Sequence, residues 1–141
     1  MIELSTLISR LQTTSGTTTY TVTNARAKEP DLTDAVNLPI IYIGYNSVIS
    51  KNPTASIEHD IFNMNGEDLV QGFDIQIVCK QTDLVTIWKN VYKNLIGYNP
   101  LAIEYNHSGL TYVQGGVIGV SNDNLWWLDR WHLGFPTVTP I

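Results

Sequence analysis

The sequence predicts an α+β fold, in which a mainly antiparallel sheet of four to six strands has two helices packed on one face. The stretch from Gly72 to Pro100 supports this prediction most strongly. Apolar and polar residues alternate from Phe73 to Lys80, which is typical of a half-buried strand. From Asp83 to Ile96 apolar residues recur every three or four positions, which indicates an amphipathic helix that can pack on that strand.

Length and composition favour a single domain. The chain has 141 residues, of which 43% are hydrophobic and only 15% are charged. A chain of this length can bury a core without crosslinks, so we expect one domain over residues 1–141, with a long loop at about 13–38 and an extended C-terminal tail at about 136–141. The low charged fraction has two explanations: partners cover part of the surface, or the surface is rich in Thr, Asn and Ser.

Charge and hydropathy exclude some classes of function. The formal net charge is −5 and no basic cluster occurs, so we expect no sequence-specific nucleic-acid binding. No apolar run is long enough for a membrane span, and the first residues do not form a signal peptide, so we expect a cytoplasmic chain. Cys79 is the single cysteine and is expected to be a small core residue.

The first half of the chain is predicted to contain one helix and one clear strand. Ile2–Leu11 has an apolar stripe and is expected to be a helix that docks on the rest of the domain. The threonine-rich stretch Thr13–Thr23 suits either a short strand or a loop, and Asn24–Leu38 is expected to be a long connection. Pro39–Ser50 is rich in β-branched and aromatic residues and is expected to be a strand that is central or covered on both sides.

Thr54–Met64 is predicted to be a strand with two different faces. One face is apolar apart from a histidine and the other is polar and acidic; the first comprises Ala55, Ile57, His59 and Ile61, and the second Ser56, Glu58 and Asp60. Asn65–Asp68 has the composition of a turn, so Thr54–Lys80 is expected to be an antiparallel hairpin. Between Lys51 and Lys80 all charged residues are acidic, which fits a solvated face or the lining of a channel that must not bind DNA.

The sequence also indicates where the second helix begins and ends and where the strands after it lie. Thr82 or Asp83 is expected to cap the helix, and Gly97 is expected to end it. A short strand is possible at Leu101–Tyr105. Thr111–Val120 is expected to be a strand whose Gly115-Gly116 pair marks a bulge or a close backbone approach, and Leu125–Phe135 is expected to return beside it.

No motif indicates catalysis or a cofactor. The three histidines fall in separate elements without metal-ligand spacing, no GxSxG nucleophile elbow occurs, and the glycines near Gly115 lack the features of a phosphate loop. We therefore expect no enzymatic activity, no metal and no cofactor.

Three tryptophans in the last strand are the most informative side chains. Alternation places Trp126 on the face opposite to Trp127 and Trp131. One side can therefore enter the core while the other meets a partner or covers a sheet edge. A wholly intramolecular role for all three is an equal alternative, and an aromatic platform for sugars is a third.

The order of these elements resembles the tail terminator proteins of long-tailed bacteriophages. The similarity covers nearly the whole chain. It comprises a short N-terminal helix, a loop, a strand entered through Leu38-Pro39 with Tyr42, and a hairpin ending in Phe73–Lys80. The helix Asp83–Ile96, the glycine-bearing strand to Val120 and a final strand with the Leu125–Asp129 run complete it. It is a similarity of order and composition, and the stretch 13–38 matches no pattern of the family.

The resemblance implies a non-enzymatic structural protein of the virion, assembled in the bacterial host cytoplasm. Such a protein forms a homo-oligomer, a hexameric ring, that caps the tail tube, stops its polymerisation and meets the head-tail connector. The alternatives are a carbohydrate- or ligand-binding module that uses the tryptophan strand, or another neck or tail completion protein. The residues predicted to form interfaces are Trp126, Trp127, Trp131, Asn65, Glu67, Asp68, Glu29 and Asp31.

Overall fold

The computed structural model describes residues 2–25, 32, 38–50, 66–100 and 109–138. Two helices and five strands lie in these ranges. In chain order they are α1 (Leu4–Thr13), β1 (Thr21–Asn24), β2 (Ile40–Ser50), β3 (Gly66–Lys80), α2 (Leu84–Leu95), β4 (Thr111–Ser121) and β5 (Asn124–Val138). Neither helix is long and apolar enough to cross a membrane.

The five strands form one sheet in the order β1-β2-β3-β5-β4. β1 runs parallel to β2, and every other neighbouring pair is antiparallel. Both helices contribute to a single core cluster with the same face of the sheet. The predicted α+β class and the mainly antiparallel sheet are therefore confirmed.

β3 is the central strand, as its alternating pattern suggests, but its partners differ from the prediction. Its two edges pair with β2 and with β5. The predicted hairpin over Thr54–Lys80 is therefore wrong, because β2 and β5 occupy the two edges of β3 on which a hairpin partner would lie. Thr54–Met64 itself lies outside the described residues. The predicted turn at Asn65–Asp68 is also wrong, because β3 begins at Gly66 and pairs with the end of β5. Long-range pairing overrides the local turn composition there.

The core lies between the helices and one face of the sheet. Strand alternation brings Phe73, Ile75 and Ile77 of β3 to this face, which we call the helix face, and all three side chains have 0% exposure. α1 buries Leu7 and Leu11, and α2 buries four residues. The sheet residues that form the core on the helix face are Val22, Ile41, Ile43, Phe73, Ile75, Ile77, Cys79, Trp131 and Leu133.

The threonine-rich stretch is more ordered than a loop. Thr17 is fully buried and its hydroxyl donates to the Leu11 carbonyl over 2.6 Å. Asn94 of α2 donates from its amide to the Ser15 carbonyl at 3.1 Å, which ties this stretch to the second helix. β1 then pairs with β2 from Thr21 onward, so the predicted loop at about 13–38 is interrupted by a strand.

Two predicted boundaries are corrected and one is confirmed. Asp83 lies at the N-cap of α2 but makes no side-chain cap hydrogen bond; a short 3₁₀ turn at Gln81–Asp83 leads into the helix instead. Gly97 ends the helix with a φ of 74°, as predicted. The predicted tail at 136–141 is a strand as far as Val138, because β5 pairs with β3 to that residue.

Candidate functional site

The three tryptophans of β5 divide between the two faces of the sheet as predicted. Trp127 and Trp131 pair with Ile77 and Phe73 of β3 and therefore lie on the helix face. Trp126 lies on the opposite face, which we call the far face, and its indole nitrogen donates to the Gln76 side-chain oxygen at 2.9 Å.

Burial differs among the three rings. Trp131 has 0% exposure and belongs to the core cluster, whereas Trp126 and Trp127 are half-buried. A role for these tryptophans in contacts between proteins stays a prediction, and only the two half-buried rings have surface available for it in the single chain.

Trp131 is part of an aromatic cluster that joins α2 to the sheet. Trp88 stacks on Tyr92, with ring centroids 5.0 Å apart. Tyr112 of β4 meets Trp88 and Trp131 edge-on, at 5.7 and 5.3 Å. Edge-to-face and offset contacts of this kind add about 0.5–1.5 kcal/mol per pair beyond burial. The cluster therefore fixes the position of α2 relative to β4 and β5.

Asp129 is a fully buried carboxylate among these rings. Its Oδ1 accepts hydrogen bonds from the Trp127 indole nitrogen at 2.6 Å and from the Tyr112 hydroxyl at 3.2 Å. Burial raises the pKa of the Asp129 carboxyl, against these hydrogen bonds, which lower it. Burial, followed by the charge and the hydrogen bond of Asp129, raises the pKa of Tyr112 to about 12. The carboxylate thus holds two aromatic side chains in fixed orientations.

β4 can approach this carboxylate because it has glycine at position 115. A Cβ atom built there would overlap with Asp129 Oδ1 and the Tyr112 hydroxyl oxygen, and would lie 2.8 Å from Trp127 Cζ2. The register of β4 against β5 also shifts twice, around Val113 and around Ile118. Of the two alternatives predicted for the Gly115-Gly116 pair, the close backbone approach is confirmed at Gly115, whereas the bulges lie on either side of the pair and not at it.

Two hollows flank β4, one on each face of the sheet. The helix-face hollow has a volume of about 430 Å³ and lies between α2 and β4, where Val85, Trp88, Tyr112, Gly115 and Trp127 contribute to its lining. The far-face hollow is smaller, about 210 Å³, and Gly116, Ile118, Leu128 and Arg130 contribute to its lining. The hollows lie back to back beside Gly115 and Gly116. The far-face side of Gly116 is open, since a Cβ there would meet nothing within 4 Å, whereas the helix-face side of Gly115 is filled by Asp129 and Tyr112.

Each hollow has one basic side chain in its lining. Lys89 lines the helix-face hollow and Arg130 lines the far-face hollow. Arg130 Nε lies 3.5 Å from Asp74 Oδ1, and this is the ion pair found in the described part of the chain. The charge of Arg130 is therefore already paired within the sheet, and Lys89 remains the charged residue in the lining of the helix-face hollow.

The side chains of five predicted interface residues lie outside the described part of the structure. Glu29, Asp31 and Asn65 lie outside the described residues, and Glu67 and Asp68 are described only as backbone of β3, paired with Thr137 and Pro136. Among the predicted interface residues that the structure does describe, Trp127 and Trp131 are linked through Tyr112, which shares Asp129 Oδ1 with Trp127 and packs edge-on against Trp131.

The described residues contain no group of metal-binding side chains. His132 lies on the far face of β5, while His59 and His107 fall outside the described ranges. Cys79 is buried, and burial together with the charge of Asp83 raises the pKa of its thiol to about 11. The Cys79 thiol is therefore a core group with low reactivity, in line with the sequence prediction.

Comparison with solved structures identifies a protein of the same fold. It is a chain from a structure described as the virion of a native gene transfer agent particle, with a TM-score of 0.53 and 12% sequence identity. The similarity covers 93% of this chain and 92% of that chain, so the whole fold is shared rather than a fragment. No protein-family model matches the sequence, and no curated protein matches it.

Proposed function

We propose that this chain is a structural protein of a phage-like particle. The observation that carries the proposal is the fold shared over nearly the full length with a chain of the gene transfer agent virion. In this proposal the chain has no catalytic role and acts in the virion, after assembly in the host cytoplasm.

The finer proposal is that copies of the chain form a ring, hexameric in the tail terminator family that the sequence resembles, on the end of the tail tube. The ring would stop the tube from growing and offer its other face to the head-tail connector. Two features support an assembly role: exposed apolar residues are concentrated on the edge strand β4, and the formal net charge of −5 would keep DNA from binding as it passes.

A tube-growth experiment tests this function. The tail tube protein of the same particle would be polymerised with and without the purified chain, and tube lengths would be measured by electron microscopy. We expect shorter tubes with a disc at one end, because a ring bound to the growing end blocks the next addition. Tubes of unchanged length and without a disc would contradict the proposal, and serum albumin at the same concentration is the control for crowding.

A second candidate is a small ligand- or carbohydrate-binding module. The helix-face hollow favours it, because Trp88, Tyr112 and Trp127 present rings to one space. Saturable quenching of tryptophan fluorescence by a soluble glycan, lost on Trp88→Ala, would support this candidate over the assembly role. We expect no saturable quenching, because a sugar needs hydrogen-bonding partners and two of the polar groups in this lining, the Tyr112 hydroxyl and the Trp127 indole nitrogen, are already bonded to Asp129.

A further inference from the structure

We propose that the free chain forms a dimer through the outer edge of β4, with the two β4 strands antiparallel across a two-fold axis at Gly116. The proposal does not depend on the tail role, because it concerns the chain before it joins any particle. A two-fold contact is complete with two copies, so it covers an apolar strand edge without extending into an aggregate.

The outer edge of β4 is open and apolar. β4 lies at the end of the sheet, and within the described ranges it pairs only with β5. Four of its side chains are 44–56% exposed, namely Val113, Val117, Ile118 and Val120. Long edge strands usually have charged residues or prolines that prevent pairing, and the sequence of β4, TYVQGGVIGVS, has neither. The edge is therefore suited to bind another strand.

Charge limits which strand can bind. β4 has no charged residue, and Arg130 beside it on the far face is already paired with Asp74. A charged strand would lose the water around its charges without gaining a partner at this edge, which is costly. The edge therefore favours a strand that is itself uncharged and that has a free edge of its own.

In the described part of the chain, β1 and β4 are the strands at the two ends of the sheet, and both are uncharged. β1 has only four residues. Thr21 and Ala25 donate towards β2, so the Val22 carbonyl lies on the outer edge of β1, where it already accepts from the Gln12 side-chain amide at 3.3 Å. β4 has eleven residues, so a second copy of β4 is the occupant that fits best.

The symmetry and the bulges together select the register. A two-fold axis perpendicular to the sheet pairs one residue with its own copy. The bulges of β4 leave 114–117 as its regular stretch. An axis at Gly116 keeps the central pairs within this stretch and sets Val117 of each copy opposite Gly115 of the other, both on the helix face. An axis at Gly115 would set glycine against glycine there.

The register at Gly116 fills the apolar hollow of each copy from outside. Val117 of one copy lies at the edge of the helix-face hollow of the other, which Val85, Trp88 and Gly115 help to line. Val117 is 55% exposed and Val85 is 62% exposed in the single chain, so the contact removes apolar surface from water. Symmetry makes this contact twice in each dimer.

The dimer brings like charges closer together. Lys89 is the charged residue in the lining of the helix-face hollow, and the axis places its two copies on the same side of the sheet. Each copy also has a formal net charge of −5. Repulsion between exposed charges is screened beyond about 8 Å at physiological salt. Added salt should therefore strengthen the dimer, whereas it would weaken a contact held by opposite charges.

Cysteine crosslinking tests the register. Gly116→Cys sets two thiols opposite each other, with Cα atoms about 4.5–5.5 Å apart, which is within the range of about 4.4–6.8 Å for a disulfide. A Cβ at Gly116 meets nothing within 4 Å, and the native Cys79 thiol is buried. Val48→Cys is the matched control, because Val48 is 43% exposed on β2 and its two copies would be about 30 Å apart. After mild oxidation we expect disulfide-linked dimers of Gly116→Cys only, and equal crosslinking of the two variants would overturn the proposal.

Sedimentation equilibrium tests the contact itself. Val117→Lys should raise the dissociation constant of the dimer about a hundredfold, because symmetry removes two buried valine contacts at once. Val48→Lys should leave it unchanged. A wild type that stays monomeric at every concentration, a Val117→Lys dimer as tight as that of Val48→Lys, or a dimer that weakens on added salt would each overturn the proposal. Circular dichroism checks that Val117→Lys is folded, and the crosslinking of Gly116→Cys decides the question independently of this variant.

Discussion

Gly115→Ala offers a sharp test of the packing around Asp129. The added methyl would overlap with Asp129 Oδ1 and the Tyr112 hydroxyl oxygen, and would lie 2.8 Å from Trp127 Cζ2. An ordinary carbon–carbon contact is about 3.5–4.0 Å, so the indole alone would have to move by at least about 0.7 Å within an interlocked aromatic cluster. Overpacking of this kind costs about 1–3 kcal/mol. We expect the free energy of unfolding to fall by that amount.

Gly116→Ala is the matched control, one residue further along the same strand. A Cβ at Gly116 meets nothing within 4 Å, so the substitution adds no clash and restricts the unfolded chain. We expect it to be neutral or to stabilise by up to about 1 kcal/mol. Equilibrium urea unfolding followed by tryptophan fluorescence measures both variants, at a concentration where the chain is monomeric. Equal effects of the two substitutions would refute the close approach of β4 to Asp129.

Other perturbations test neighbouring parts of the account. Trp131→Ala should lower the free energy of unfolding by about 3–5 kcal/mol, because a fully buried ring leaves a cavity; an effect below about 1 kcal/mol in urea unfolding would place the ring elsewhere. Because folding raises the pKa of Asp129, the folded state holds this proton more tightly than the unfolded state does. The contribution of Asp129 to the free energy of unfolding therefore falls as pH rises from its unfolded pKa to its folded pKa. The free energy of unfolding of Asp129→Asn, taken relative to that of the wild type, should therefore be higher at pH 7 than at pH 4 in the same assay. The opposite trend would contradict the raised pKa. Gly97→Ala should cost about 1 kcal/mol, because its φ of 74° strains any residue with a Cβ, and an unchanged urea midpoint would contradict that conformation. The Cys79 thiol should react with iodoacetamide at pH 8 only at the rate of unfolding, because it is buried with a pKa of about 11; rapid labelling of the native chain would show an accessible thiol.

The sequence predicts those parts of the fold that depend on local periodicity. The alternation of β3 and the helical repeat of α2 depend only on near neighbours, and both elements lie where the pattern places them. The same alternation separates Trp126 from Trp127 and Trp131 correctly. The role of Gly97 at the end of α2 is predictable for the same reason, because the positive φ that often ends a helix depends on the type of a single residue.

Strand pairing could not be derived in this way. Asn65-Gly66 has the composition of a hairpin turn, yet Gly66 is a strand residue because β5 provides a partner far away in the sequence. Thr21–Asn24 has ambiguous local preferences, and its parallel pairing with β2 decides in favour of a strand. Non-local pairs of this kind become visible only when the whole sheet is assembled.

The site around Asp129 was only half visible in the sequence. Asp129 interrupts an otherwise apolar face of β5, and Gly115-Gly116 interrupts β4, and each is a signal of something unusual. That the two signals belong to one site depends on the register that pairs Gly115 with Asp129. The bulges around Val113 and Ile118 set this register, and a bulge cannot be placed to the residue by composition alone.

Localisation of the chain on intact particles tests the central claim most directly. Particles that contain an epitope-tagged copy would be labelled with gold-conjugated antibody and viewed by electron microscopy. The account predicts gold at one position per particle, at the head-side end of the tail tube. Gold along the whole tube, or particles without any label although the tagged chain is expressed, would contradict the claim that this protein caps the tube.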